Sequence, residues 1–232
     1  MNKFYQKYLL VESLSTYDPY DIWKTRIGYW IKDFYNKNKK LALLPSVIIT
    51  LVDLFFNKIL RLLYVKQEYP IVRAQAAISL LKSYRNNKKP KYIKFAKCHI
   101  DWLIANSSNG FSGLCWGLDF SWPAGKDLVY DKNEPFTTHT PYVLEAIDFY
   151  IELSGNYTYS KYIKSIYNYY EQDVKVLIET DQILGVSYGT SKDRLITNAI
   201  SYTLFAYTIF SKYFDDVSIL EKRNKLFNFI KS

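Results

Sequence analysis

The sequence predicts an all-α protein built from repeated helical hairpins, and three observations carry that prediction. Apolar residues recur at helical spacing almost everywhere, with no convincing run of strand alternation. Pairs of helical segments resemble one another at a nearly constant offset. The chain has only eight glycines in 232 residues, and six of them (Gly110, Gly113, Gly117, Gly125, Gly185 and Gly189) fall in two short stretches between those pairs.

Taken in order, Met1–Leu10 lacks the continuous apolar run and small-residue cleavage site of a secretory leader. Residues 22–35 form a helix with Asp21 as its N-cap. Helices over 46–64 and 71–84 start beside Pro45 and after Pro70, where a missing N–H costs nothing. Further helices cover 91–104, 141–154, 159–178, 193–210 and 217–230. One 232-residue domain results, with N-terminal helices over 1–68 and three hairpins over 69–232.

Lys91-Tyr92-Ile93-Lys94 recurs as Lys161-Tyr162-Ile163-Lys164, and Ala76 maps onto Ala146, both at an offset of 70. Gly113-Leu114-Cys115-Trp116-Gly117 recurs as Gly185-Val186-Ser187-Tyr188-Gly189 at an offset of 72. A loop that returns the chain between hairpins must bend or approach closely, which glycine permits. Within each pair, apolar residues cover most of one helix, as in Leu195 to Ile209, while Tyr159–Ile178 carries Lys161, Lys164, Glu171, Asp173 and Lys175 on a wet face. The hairpins therefore have inner and outer helices.

The formal charge of +9 attracts polyanions in general, with lysine clusters at 36–40 and 85–89. Zinc-finger spacing, an RNP-like aromatic motif and a basic-region zipper do not occur, which argues against nucleic acid as the partner. Cys98 and Cys115 form no disulfide framework and fit a reducing cytoplasm. Leu41–Val52 is free of charge and apolar character continues to Val65, but Pro45, Asp53, Lys58 and Arg61 argue against a span. A helix packed on the domain is favoured there, and membrane-surface contact through 37–65 is the alternative.

Repeated hairpins joined by Gly-x-Cys/Ser-aromatic-Gly loops resemble the (α/α) toroids. The stretches "GLCWGLDFSWPAG", "PFTTHTPYVLEAIDFYIELSGNYTYSKYI" and "YDPYD" (Tyr17–Asp21) are similar to uncharacterised bacterial proteins of six-hairpin glycosidase type from cell-surface polysaccharide gene clusters. The resemblance implies a partial (α/α) toroid. It has fewer hairpins than the roughly six of a closed ring, and exposed inner-helix surface is rarely tolerated on a large scale. A truncated frame, a split gene, or a partner chain or second copy that closes the ring is the expectation. The resemblance also implies glycoside hydrolase, lyase or epimerase-like chemistry on a surface polysaccharide or a lipid-linked oligosaccharide, in the cytoplasm and at the inner face of the membrane. The alternatives are a non-catalytic assembly subunit or fragment, and a terpene cyclase or prenyltransferase-like protein.

In such toroids the cavity lies where the glycine loops converge. The candidate catalytic residues are Asp119, whose neighbours Leu118 and Phe120 would desolvate it, Asp193 as the second carboxylate, and His139 as acid, base or uronate contact. Trp116, Trp122, Tyr188 and Glu134 are candidate substrate contacts, since aromatic faces beside carboxylates suit a sugar ring. Each has a structural alternative: turn and helix caps for Asp119 and Asp193, a helix N-terminus for His139, core or loop packing for the aromatics. Cys98, His99 and Cys115 supply a zinc inventory without convergent spacing, so neither metal nor cofactor is expected and His99 reads as a core histidine.

Overall fold

A computed structural model of the chain describes residues 8–232. The reading of Met1–Leu10 as lacking a leader falls largely on residues 1–7, outside the described ones. The elements run α1 (Asp21–Lys24), α2 (Arg26–Lys37), α3 (Lys39–Leu60), α4 (Pro70–Asn87), α5 (Pro90–Ala105), β1 (Trp122–Gly125), β2 (Leu128–Tyr130), α6 (Thr140–Ser154), α7 (Ser160–Gln172), β3 (Val176–Glu179), β4 (Leu184–Val186), α8 (Thr197–Phe210) and α9 (Val217–Lys231). They divide into two compact units. One holds the described residues through Leu14 with Pro70–Gly117 and Glu134–Ser232; the other holds Ser15–Tyr69 and Leu118–Asn133.

The larger unit is a row of three hairpins. Helix α4 packs on α5, α6 on α7 and α8 on α9, while α4, α6 and α8 also pack on one another in sequence. These three are the inner helices, and the layered arrangement is that of a partial (α/α) toroid. Helix α6, in the middle, buries Val143, Leu144, Ala146, Ile147, Tyr150 and Ile151, which span its circumference. Small residues at Ala74, Ala76 and Ala77 form much of the buried surface of α4. The outer helix α7 instead buries one stripe, Ile163, Ile166, Tyr169 and Tyr170, and leaves Lys161 and Lys164 in water.

Two carboxylates, the buried Asp148 and the exposed Glu171, tie the hairpins together. Asp148 accepts from Lys212 Nζ at 2.6 Å and from the Tyr213 hydroxyl at 2.9 Å. Glu171 accepts from the Tyr207 hydroxyl and from Lys222 Nζ, both at 2.5 Å. Proline starts α4 and α5, and Gly155 at φ 68° ends α6 in the left-handed conformation that glycine adopts freely.

The smaller unit packs α2 against α3 and β1 against α2 around Ile22, Ile31 and Ile49. A Cβ at Gly28 would lie 1.9 Å from the Ile22 carbonyl oxygen, so this glycine permits the close approach of α1 and α2. Asn36 Nδ2 donates to the Pro123 carbonyl at 3.0 Å, fixing the β1–β2 hairpin to α2.

Several boundaries differ from the sequence reading, each for a local reason. Asp21 lies in the first turn of α1 rather than capping a longer helix; Thr25 breaks the chain and caps α2 by accepting from Gly28 N at 3.1 Å. Helix α3 starts at Lys39, capped by Asn38, so Pro45 falls inside it. The helix expected to reach Ile178 stops at Gln172, because the β-branched-rich Val176–Glu179 pairs as β3 with β4. Helix α8 starts at Thr197, since Ser187 bridges Leu195 in an extended loop. Helix α3 packs on α2, although among its residues only Ala42 and Ile49 are buried.

Candidate functional site

The two glycine loops of the larger unit meet on one segment, Glu134–His139. Phe136 N donates to the Trp116 carbonyl at 3.2 Å, and Thr137 N donates to the Tyr188 carbonyl at 3.0 Å. Bridges between Gly117 and Pro135 and between Phe136 and Gly189 complete the join. Both bends therefore sit at the same end of the hairpin row.

The glycines act through close approach. A Cβ at Gly113 would lie 1.7 Å from the Ser165 carbonyl oxygen on α7, and one at Gly185 would lie 3.1 Å from the Phe229 ring on α9. Each loop thus presses on the outer helix of the following hairpin, as a repeat requires. The loop on α7 is held further by Ser165 Oγ, which accepts from Leu114 N at 3.1 Å, and by Asp173, which accepts from Ser112 N at 2.8 Å.

At this junction the structure brings together Glu134, His139 and Tyr188. The Tyr188 ring lies 4.9 Å from Phe136 and remains partly exposed. His139 precedes α6 as its N-cap residue, makes no side-chain cap bond, and has its ring 5.2 Å from Phe136. Burial pushes its pKa down to about 4, because the cation loses solvation. At neutral pH the ring is uncharged: it can accept a proton or a hydrogen bond, but the acid and cationic uronate roles are disfavoured. The buried Glu134 carboxylate accepts from Ser191 N at 2.9 Å, which fixes the chain after Gly189.

Trp116 is fully buried, and its indole N–H donates to the Leu103 carbonyl at 2.9 Å. It anchors the loop to α5 and is closed to a ligand, which corrects its assignment as a sugar contact. Asp193 forms an ion pair with Lys175 at 2.7 Å, on an exposed surface.

Asp119 and Trp122 belong to the smaller unit. The desolvation expected for Asp119 does not occur: its side chain is 44% exposed and pairs with Lys132 at 2.7 Å, because Leu118 and Phe120 do not cover the carboxylate. Trp122 stands edge-on to Tyr20 and Phe120, with Lys32 Nζ over its ring at 2.7 Å. Burial pushes the Lys32 amine down to about 8.

Sequence reasoning missed three groups. Lys24 is held by Asp18 at 3.1 Å and Asp21 at 3.0 Å and lies over the Phe120 ring at 4.5 Å; the i,i+3 spacing of Asp21 and Lys24 was the available signal. Tyr142 and Tyr202 join through their hydroxyls at 2.5 Å on the inner helices α6 and α8. On α6, partial burial raises the Glu145 pKa, opposed by the Lys82 charge. Cys98, His99 and Cys115 have separate roles. His99 Nδ1 lies 3.0 Å from Arg73 Nη1, and Nε2 lies 3.0 Å from the Leu9 carbonyl, so the neutral ring accepts from the guanidinium and donates to the backbone. Burial pushes the Cys115 thiol up.

No family model and no curated protein sequence matches the chain. Among solved structures, unsaturated glucuronyl hydrolase from Streptococcus agalactiae matches with a TM-score of 0.45 and 16% identity, over 97% of this chain and 58% of that one. The chain spans little more than half the length of that hydrolase, and a match this distant assigns no residue.

Proposed function

We propose that the chain is a carbohydrate-active or carbohydrate-binding toroid protein that acts on a surface polysaccharide or its lipid-linked precursor in the bacterial cytoplasm. The observation that carries this reading is the convergence of both glycine loops on Glu134–His139, which leaves Tyr188 and a neutral His139 at one rim of the inner helices. A partly exposed aromatic ring beside hydrogen-bonding groups suits the C–H faces and hydroxyls of a sugar. His139 is the candidate base, Tyr188 the platform and Glu134 the residue that fixes the rim. Asp193 remains the candidate carboxylate of the larger unit for hydrolysis, lyase or epimerase-like chemistry, and Asp119, in the smaller unit, is kept as a candidate by itself.

A second reading, a non-catalytic assembly subunit, is favoured by the surface lysines that engage both Asp119 and Asp193. In that case a partner chain or a second copy would close the hairpin row. Purified chain is titrated calorimetrically with uronic-acid and neutral oligosaccharides while products are followed by mass spectrometry, with Tyr188→Ala and Asp119→Asn alongside. Turnover that Asp119→Asn abolishes supports the enzyme. Binding that needs Tyr188, without turnover in any form, supports the subunit. Absence of both binding and turnover refutes the carbohydrate reading.

A further inference from the structure

Helix α3 has a surface that a water-facing helix does not carry. It is 22 residues long with a mean hydropathy of 1.8 over its most apolar window, of which 6% is buried. Ile49 and Leu60 hold it to the small core around Ile22 and Ile31. At helical spacing on another face, Leu41, Leu44, Ile48, Leu51, Phe55 and Ile59 are all exposed, Leu44 at 68% and Phe55 at 72%. Scattered apolar residues on a surface mean little, but a contiguous stripe of this length calls for an apolar neighbour.

The charges beside the stripe say which neighbour. Over residues 37–66 there are six basic side chains (Lys37, Lys39, Lys40, Lys58, Arg61 and Lys66) against one acidic, Asp53. All six are exposed, at both ends of the helix and within its last turns. Asp53 is turned to the protein, accepting from Asn57 Nδ2 at 3.1 Å and from the Tyr64 hydroxyl at 3.3 Å. Long basic side chains flanking an apolar stripe place their stems along the hydrocarbon boundary and their ammonium groups among anionic headgroups.

Length alone, about 33 Å at 1.5 Å per residue, would also allow a crossing. The packing argues otherwise. Helix α2 lies against α3 and carries Arg26, Lys32, Asp33 and Lys37, so a spanning α3 would draw these charges toward hydrocarbon. Pro45 and Lys58 also interrupt the apolar run. We propose that α3 lies in the plane of an anionic lipid bilayer, its Leu41-to-Ile59 stripe sunk into the acyl boundary, as a peripheral anchor. This anchoring stands independently of any carbohydrate chemistry.

The full chain is mixed with vesicles of phosphatidylcholine alone and of phosphatidylcholine with phosphatidylglycerol, then floated on a density gradient. Wild type floats with the anionic vesicles, more weakly with the neutral ones, and is released from both by alkaline carbonate. Lys39→Ala with Lys40→Ala lowers partition to anionic vesicles about 30-fold, since each lysine near such a surface contributes about a factor of five. Leu44→Glu with Phe55→Glu removes binding to both while leaving the circular dichroism melt unchanged, because both side chains already stand in water. Retention through the carbonate wash would overturn the in-plane arrangement in favour of a span. Failure of wild type to float with anionic vesicles would overturn the proposal outright, and a soluble dimer that Phe55→Glu separates would identify a second copy as the occupant.

Discussion

Acidification should weaken the folded chain through His139. Burial holds this imidazole at about 4, whereas an unfolded chain takes up the same proton near 6.5. Between those values the unfolded state carries more protons, so stability falls as pH falls. The stabilisation is present in full above about 6.5 and is lost progressively as pH drops to about 4. At about 1.4 kcal/mol per pH unit, the window of about 2.5 units corresponds to roughly 3 kcal/mol. Urea midpoints followed by circular dichroism between about pH 4 and pH 7 measure it, with His139→Gln as the comparison. The variant is expected to lose stability less steeply than wild type across that window, since other titrating groups are common to both. Because the sequence has two histidines, their NMR titrations are separable, and His139→Gln identifies the second signal. Parallel acid slopes in the two proteins, or a His139 resonance that titrates near 6.5, would refute the reasoning.

Gly113→Ala should cost about 1–3 kcal/mol or more, because its Cβ would meet the Ser165 carbonyl at 1.7 Å, whereas Gly125→Ala, with its nearest neighbour at 3.6 Å, should change the thermal midpoint little; equal midpoints would remove close approach as the explanation for Gly113. Trp116→Ala should cost about 3–5 kcal/mol in urea titration, since a fully buried indole and its hydrogen bond to Leu103 are both lost. Asp119→Asn should change stability by under about 1 kcal/mol, as expected for an exposed ion pair, so a large loss would show that the carboxylate supports the fold.

The parts of the fold that were legible in sequence are those set by local rules. Pro70 and Pro141 mark helix starts, whereas Pro45 lies inside α3, and the offset between the Gly113 and Gly185 loops corresponds to contacts on α7 and α9. Strand β3 was hidden because its four residues, Val-Leu-Ile-Glu, carry no period-2 alternation and come soon after an amphipathic helix of thirteen, into which their apolar character reads as a continuation. The site was less legible than the fold. Leu118 and Phe120 flank Asp119 along the chain, but in a loop, neighbours in sequence do not determine what covers a side chain. The partners that matter there, Lys132 for Asp119 and Lys175 for Asp193, come from residues with no motif to announce them. Likewise Leu118–Asn133, read from its neighbours as part of the hairpin region, groups with the N-terminal helices through β1 on α2.

The position of Glu134–His139 explains why glycine is concentrated where it is. This segment contains no glycine, yet it must pair with one loop through Phe136 and with the other through Thr137, two adjacent residues. Such pairing is available only if both loops arrive at the same depth, and that depth is set by how closely each can sit on the outer helix behind it. Gly113 on α7 and Gly185 on α9 fix those two approaches, while the buried Trp116 holds the first loop to α5. A side chain added at Gly113 would push its loop outward and strain the pairing at Phe136, whereas one at Gly185 would meet only the Leu195, Phe229 and Ile178 side chains at 3.0–3.3 Å and need them to yield. The coupling makes Gly113 part of the candidate site, although it does not face it.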